Sequence, residues 1–395
     1  MIIKILTSSV ALLAFVVGVG LTGHWALKHP SAVVTEVKIP ETTQPEEPRT
    51  PREPQVLEMV FVIDTTGSMG GLIEGAKQRV WRIVNEVMQD EYRPDVRVGL
   101  VAYRDRGDEY VTEVTPLTTD LDRVYSTLLS FKAAGGGDTP EDVKRGLKDG
   151  IERAGWSKSN GRVTKVMFLV GDAPPHNDYQ DESSLTTIIS EAVQHHIIIN
   201  SIQCGSADDT ARVWREIAQT GYGEYFPIPQ NGGVVQVSTP YDDRMAELSA
   251  KLGGTYLAYG GTSADRKAKM EANMTTETRM VDAAPPAASA DRAVNKAINR
   301  RAYDGDLLQD IENGSKKLED VKESELPDDL RAMKPAERKA EIDKRLAERK
   351  KIRDEIVSLT AQREKYLKEH SAKDSKSNSF DTAVGSALKK QMNKK

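Results

Sequence analysis

From Val56 onward, short apolar runs alternate with stretches in which apolar residues recur every three or four positions. Val56–Ile63, Val96–Tyr103, Val163–Val170 and Ile197–Ile202 read as strands. The first and third are apolar on both faces, as a strand covered from both sides of a sheet must be. Between them, Leu72, Ile73, Ala76, Val80, Ile83, Val84 and Val87 fall on one helical stripe. The same spacing recurs in Leu121, Val124, Leu128 and Leu129, then in Val143 and Leu147, then in Leu185, Ile188, Ile189, Ala192 and Val193. Val111 and Val114 suit a short extra strand, returning antiparallel across the turn-rich Asp105-Arg106-Gly107-Asp108. A helix over 210–220 and a last strand over 224–228 follow. The alternation predicts an α/β domain over 56–262, a doubly wound, mostly parallel six-stranded sheet flanked by helices.

The flanks have a different texture. Residues 1–29 hold an apolar run from Ile5 to Leu21 that continues weakly to Leu27, which reads as a signal peptide or a membrane anchor. Either one implies export, and the location expected is the bacterial inner membrane facing the periplasm, or the cell surface. Residues 30–55 contain Pro30, Pro40, Pro45, Pro48, Pro51 and Pro54 and read as an extended linker. After a helix at Tyr241–Leu252 and a short strand or turn at Gly254–Tyr259, residues 263–334 read as a connector with short helices. Residues 335–395 read as a basic helical tail. In it, Ile342, Leu346, Ile356, Leu359 and Tyr366 form a stripe broken by Arg349 and Arg353, too interrupted for a regular coiled coil.

Charge sharpens that division. The whole chain has a formal charge of −5, but residues 331–395 carry 19 Lys+Arg against 10 Asp+Glu. Because the signs alternate along a helical pattern, the tail is expected to be a solvated helix, available for self-association, and not a nucleic-acid binder. The single cysteine, Cys204, excludes an internal disulfide framework and a zinc finger, and reads as a small core residue.

Three loops carry candidate chemistry. At the end of the first strand, Asp64-Thr65-Thr66-Gly67-Ser68 sets a carboxylate and two hydroxyls at alternate positions. Gly135-Gly136-Gly137-Asp138-Thr139-Pro140-Glu141-Asp142 adds the Thr139 hydroxyl, although Thr139 also suits the N-cap of a following helix. Leu169-Val170-Gly171-Asp172 ends another strand on a carboxylate. Open parallel sheets bind ligands beyond the carboxyl ends of their strands.

Together these loops resemble the von Willebrand factor type A domain with its metal-ion-dependent adhesion site. The resemblance covers residues 56–228 and implies a sheet order of 3-2-1-4-5-6. It implies metal ligation by Asp64, Thr66, Ser68, Thr139 and Asp172, with Thr66 standing where a serine is usual. Such hard oxygen donors suit Mg²⁺, Mn²⁺ or Ca²⁺. With only two acids the ion stays electrophilic, so a protein partner's Asp or Glu can complete its sphere. Asp105 and Asp138 are expected behind the ligands, and His176 at the rim.

The expectation is therefore an exported, membrane-tethered, metal-dependent protein-binding or adhesion module without enzymatic activity. One alternative is a scaffold that assembles through its basic tail. Another takes Asp64 as a nucleophile forming an aspartyl phosphate, since Asp64-Thr65-Thr66-Gly67-Ser68 is similar to the phosphorylation loop of P-type ATPases. Thr65 stands there in place of the lysine of that pattern.

Overall fold

The structure is a computed structural model that describes residues 56–89, 94–137, 139–158, 162–179, 183–233, 237–370 and 379–392. The expected signal or anchor, the proline-rich linker and Asp138 lie outside the described residues.

β1 (Val56–Asp64), α1 (Gly70–Met88), β2 (Asp95–Tyr103), β3 (Thr112–Thr118), α2 (Leu121–Ser130), α3 (Val143–Glu152), β4 (Val163–Gly171), α4 (Leu185–Gln194), β5 (Ile197–Cys204), α5 (Asp208–Thr220) and β6 (Tyr222–Ile228) follow in order. The sheet runs β3-β2-β1-β4-β5-β6. Every pair is parallel except β2–β3, the antiparallel return expected after the 105–108 turn. Side chains alternate across β1 as the pleat demands. Leu57, Met59, Phe61 and Ile63 join the cluster under α1 and α2, whereas Val60 and Val62 join that under α3, α4 and α5. α3 is capped by Asp142, whose carboxylate accepts from the Arg145 amide, so the cap lies three residues beyond Thr139.

The C-terminal third is helical as expected, but it packs differently. α6 (Asp242–Gly253), α7 (Ser263–Ala283), α8 (Pro286–Ile298), α9 (Leu307–Glu312), α10 (Asp328–Arg331), α11 (Pro335–His370) and α12 (Phe380–Met392) belong to the same compact unit as the sheet. α12 is not a solvated tail. Phe380, Ala383, Val384, Ala387 and Leu388 are buried in the cluster that covers one face of β1, and the Phe380 ring lies 6.1 Å from that of Phe61. The connector expected over 263–334 is not loose either, since Ala288 and Ala290 are buried in α8. The short strand or turn expected over Gly254–Tyr259 is a turn with one bridge, between Ala258 and Asp306.

Ionic contacts explain the broken stripe of α11. Arg349 is fully buried, pairing with Asp306 and donating to the Thr255 hydroxyl and carbonyl. Arg363 reaches Asp242 and Asp291, both at 2.7 Å. On α8, Arg292 grips Asp122 of α2 and Glu277 of α7, and Lys296 also reaches Asp122. Arg292 and Lys296 thus tie the C-terminal helices to α2 of the sheet domain, whereas Arg349 and Arg363 tie the C-terminal segments to one another. Among the described residues, no helix is long and apolar enough to cross a membrane.

Two outcomes follow. Removing one partner of a buried pair leaves the other charge uncompensated, so Arg363→Ala should cost the full chain about 3–5 kcal/mol in urea denaturation. A loss below about 1 kcal/mol would mean that apolar contacts alone dock α11. Burial opposes ionisation of Asp122, but Lys296 and Arg292 prevail and hold its carboxyl well below the usual range. A depressed folded value stabilises above the unfolded one and is lost as pH falls through it. The urea midpoint should therefore drop below about pH 4, and Asp122→Asn should lack that component of the slope.

Candidate functional site

The strand order reverses at β1, whose successor β2 lies on one side and β4 on the other. Loops leaving the carboxyl ends of β1 and β4 diverge there and open a crevice. Asp64 is the last residue of β1, and Asp172 follows β4 directly.

Asp64 is fully buried. Its Oδ1 accepts from the Thr66 amide at 2.8 Å and from the Thr66 hydroxyl at 2.6 Å, and the Ser68 hydroxyl lies 3.5 Å from that of Thr66. Its Oδ2 is buried with no hydrogen-bond partner. Burial pushes the Asp64 carboxyl up to about 7, opposed by the two Thr66 hydrogen bonds and assisted by the charge of Asp172. The loop that presents these groups is held rigidly. The Thr65 hydroxyl donates to the Tyr103 carbonyl, and Arg104 donates both to the Thr65 carbonyl and to that of Lys132 in the second loop.

Asp172 faces Asp64 but is half-buried, and its Oδ2 accepts from the Gln230 side-chain amide at 2.6 Å. The same amide lies 3.3 Å from the Ser68 carbonyl, so Gln230, in the loop after β6, spans the first and third loops. No sequence signal marked it, because a glutamine in a connecting loop has no diagnostic spacing.

The second loop is arranged differently from expectation. Thr139 is exposed, and Glu141 is the side chain buried against Thr66. Burial, followed by the charges of Asp64, Asp105 and Asp108, pushes Glu141 up to about 9. Asp105 is buried and accepts from the Tyr179 hydroxyl at 2.6 Å. The His176 ring stacks on Tyr179 at 4.2 Å, with Asp105 3.4 Å from its Nε2 and Asp178 2.8 Å from its Nδ1. Cys204 is a buried core residue, and burial keeps its thiol well above the ordinary value.

Among the described residues, no three His, Cys, Asp or Glu side chains are gathered so as to hold a metal by themselves. Asp64 and Glu141 flank Thr66, while Asp172 is engaged by Gln230. The donors at hand are carboxylate and hydroxyl oxygens, and two of the buried ones lack partners. That is chemistry suited to a hard divalent cation.

Residues 58–239 match the family model of the von Willebrand factor A domain. An ariadne-like RING finger protein of Acanthamoeba polyphaga mimivirus is 27% identical over 122 residues, which is 31% of this chain and 11% of that protein. The von Willebrand factor A domain-containing protein 7 of Rattus norvegicus is 41% identical over 81 residues, 20% of this chain and 8% of that one. The matches thus span about a tenth of the length of these relatives. Among solved structures, the SpRpn10 VWA domain covers 45% of this chain and 89% of its own, at 18% identity and a TM-score of 0.34.

The crevice floor tolerates little change. A Cβ on Gly171 would lie 2.5 Å from the Tyr103 hydroxyl, 3.1 Å from Asp64 Cβ and 3.1 Å from the Trp214 ring. All three neighbours are fully buried, so none can withdraw into solvent. Gly171→Ala should cost about 1–3 kcal/mol in urea denaturation. An unchanged midpoint would show that the floor is loosely packed.

Proposed function

We propose that this chain is a protein-binding module whose partner contact depends on a divalent cation, Mg²⁺, Mn²⁺ or Ca²⁺, held by Asp64, Thr66, Ser68 and Asp172. The observation that carries it is Asp64 Oδ2, a fully buried carboxylate oxygen without a partner at the switch point of the sheet. Leaving a buried acceptor unsatisfied costs about 1–3 kcal/mol. A cation between the first and third loops would satisfy that oxygen and offset the repulsion between Asp64 and Asp172. When bound, it would supply a Lewis-acidic position for an Asp or Glu of a partner.

The chain's own residues prepare this arrangement. Thr66 orients Asp64 by two hydrogen bonds to one oxygen, leaving the other free. Arg104 ties the first loop to the second, and Gln230 would give up Asp172 to the ion. Export and tethering through the Ile5–Leu27 run, and a purely binding, non-enzymatic role, belong to the same proposal. Against the aspartyl-phosphate alternative, Thr65 follows Asp64 where the phosphorylation loop has a lysine.

Asp64→Asn and Asp172→Asn keep the volume of each side chain while removing its charge. Both variants should remain folded and lose Mn²⁺ affinity by about tenfold or more in calorimetric titration. Undiminished affinity in both would remove these residues from the site.

A further inference from the structure

The helices that follow the sheet enclose a cavity of about 990 Å³, a size suited to a small organic ligand. Its lining runs from Arg244 to Glu355, beyond the segment that matches the A-domain family, so it is separate from the crevice of Asp64. Leu248 faces it from α6 and Ile352 from α11. Leu248, Leu257, Ala258 and Leu308 line it as buried residues, and Ile352 and Met270 of α7 as half-buried ones. The turn that carries Leu257 and Ala258 is fixed by Arg349, which donates to the Thr255 hydroxyl and carbonyl. The hollow is therefore preformed, and its apolar wall atoms lack the contacts that a hydrocarbon chain would supply.

Ion pairs between helices close most of the rim. Arg244 joins Glu355 at 2.7 Å, Arg266 joins Asp328 at 2.9 Å, and Arg345 joins Asp329. These pairs link α6 to α11, α7 to α10 and α11 to α10. Among the described residues no such pair links α6 to α7. On that side Lys251 has no carboxylate within ion-pair distance among the described residues, and Lys267 reaches only Glu271 of its own helix, at 4.0 Å. Across the whole lining five Lys or Arg stand against four Asp or Glu, a net charge of +1. That excess complements one negative charge, and Glu348 on the α11 wall would repel a second.

We infer that this cavity binds a monocarboxylate with a long hydrocarbon tail, of the fatty-acid class. The head lies between Lys251 and Lys267, and the tail runs over Leu248, Leu257, Leu308 and Ile352. Two like-charged lysines on neighbouring helices gain from an anion that they share, through charge-assisted hydrogen bonds. Their stems can follow the apolar wall while the ammonium groups stay at the mouth. A ligand with one charged end suits a rim that ion pairs close on three sides, whereas an extended peptide needs both an entry and an exit. The site uses neither Asp64 nor a divalent cation, so it stands or falls independently of the crevice.

The test is calorimetric titration of the full chain with octanoate, decanoate and laurate, in EDTA so that no divalent ion takes part. Affinity should rise about threefold with each added methylene, because each buries further apolar surface. Decanol, which lacks the charge, should bind about tenfold more weakly than decanoate. The double variant Lys251→Gln, Lys267→Gln should lose about tenfold in laurate affinity. Met270→Trp, which fills the cavity from its half-buried wall, should lose nearly all binding. Both variants change residues that reach the surface and should melt like wild type. No laurate binding by the wild type overturns the proposal. Wild-type affinity in either folded variant also overturns it, by placing the ligand elsewhere on the chain. Affinity independent of chain length does the same, and would point to an acidic peptide held by the charged rim alone. Should Met270→Trp not fold, the lysine double variant decides by itself.

Discussion

A parallel strand at the centre of a sheet must be roofed on both faces, and β1 sets this condition for the whole molecule. Every residue from Leu57 to Asp64 is buried. One face is covered by helices that follow in order along the domain, α3, α4 and α5. The other is covered by α1 and α2 near the start and by α12 from the end of the chain. Closure of that second face brings the C-terminal helices back onto the domain. Once there, their charged residues lie in the interior and require counter-ions. Arg292, Arg349 and Arg363 find them in Asp122, Glu277, Asp306, Asp242 and Asp291. Such pairs add little net stability over apolar packing, but once made they cannot be broken cheaply, which specifies where each helix docks.

The same strand delivers Asp64 to the crevice already desolvated. A carboxylate at the end of an exposed strand would be satisfied by water. Here one oxygen is satisfied by Thr66 and the other is left bare, with Glu141 beyond Thr66 and Asp172 opposite. The A-domain match over 58–239 includes the loops that form the crevice at the β1/β4 divergence. The loops are tied to one another by backbone bridges and by Arg104, which gives the site a fixed shape before any ligand arrives.

Much of this was legible from residue order. Period-two and period-3.6 patterns depend on local geometry, so the six strands, their helices and the antiparallel return at β3 could be read directly, with shifts of a residue or two at the ends. Asp64, Thr66 and Ser68 could be read as one constellation because a single turn holds them. The helices of the tail could be read as well, but not their packing. A buried arginine on a helix has the same sequence signature as a solvated one, and Arg349 and Arg363 became interior only when Asp306, Asp242 and Asp291 met them from far away in the chain.

The sequence by itself determined the elements, the sheet they make and the positions of the two strand-end acids, since each follows from periodicity within a few residues. Tertiary structure alone decided that Glu141 turns inward while Thr139 stays exposed, because the bridge of Glu141 to Pro175 joins segments 34 residues apart. It also decided that Gln230 holds Asp172 and that α12 completes the core. In each case the deciding term is desolvation by a distant segment, which local residue order does not encode.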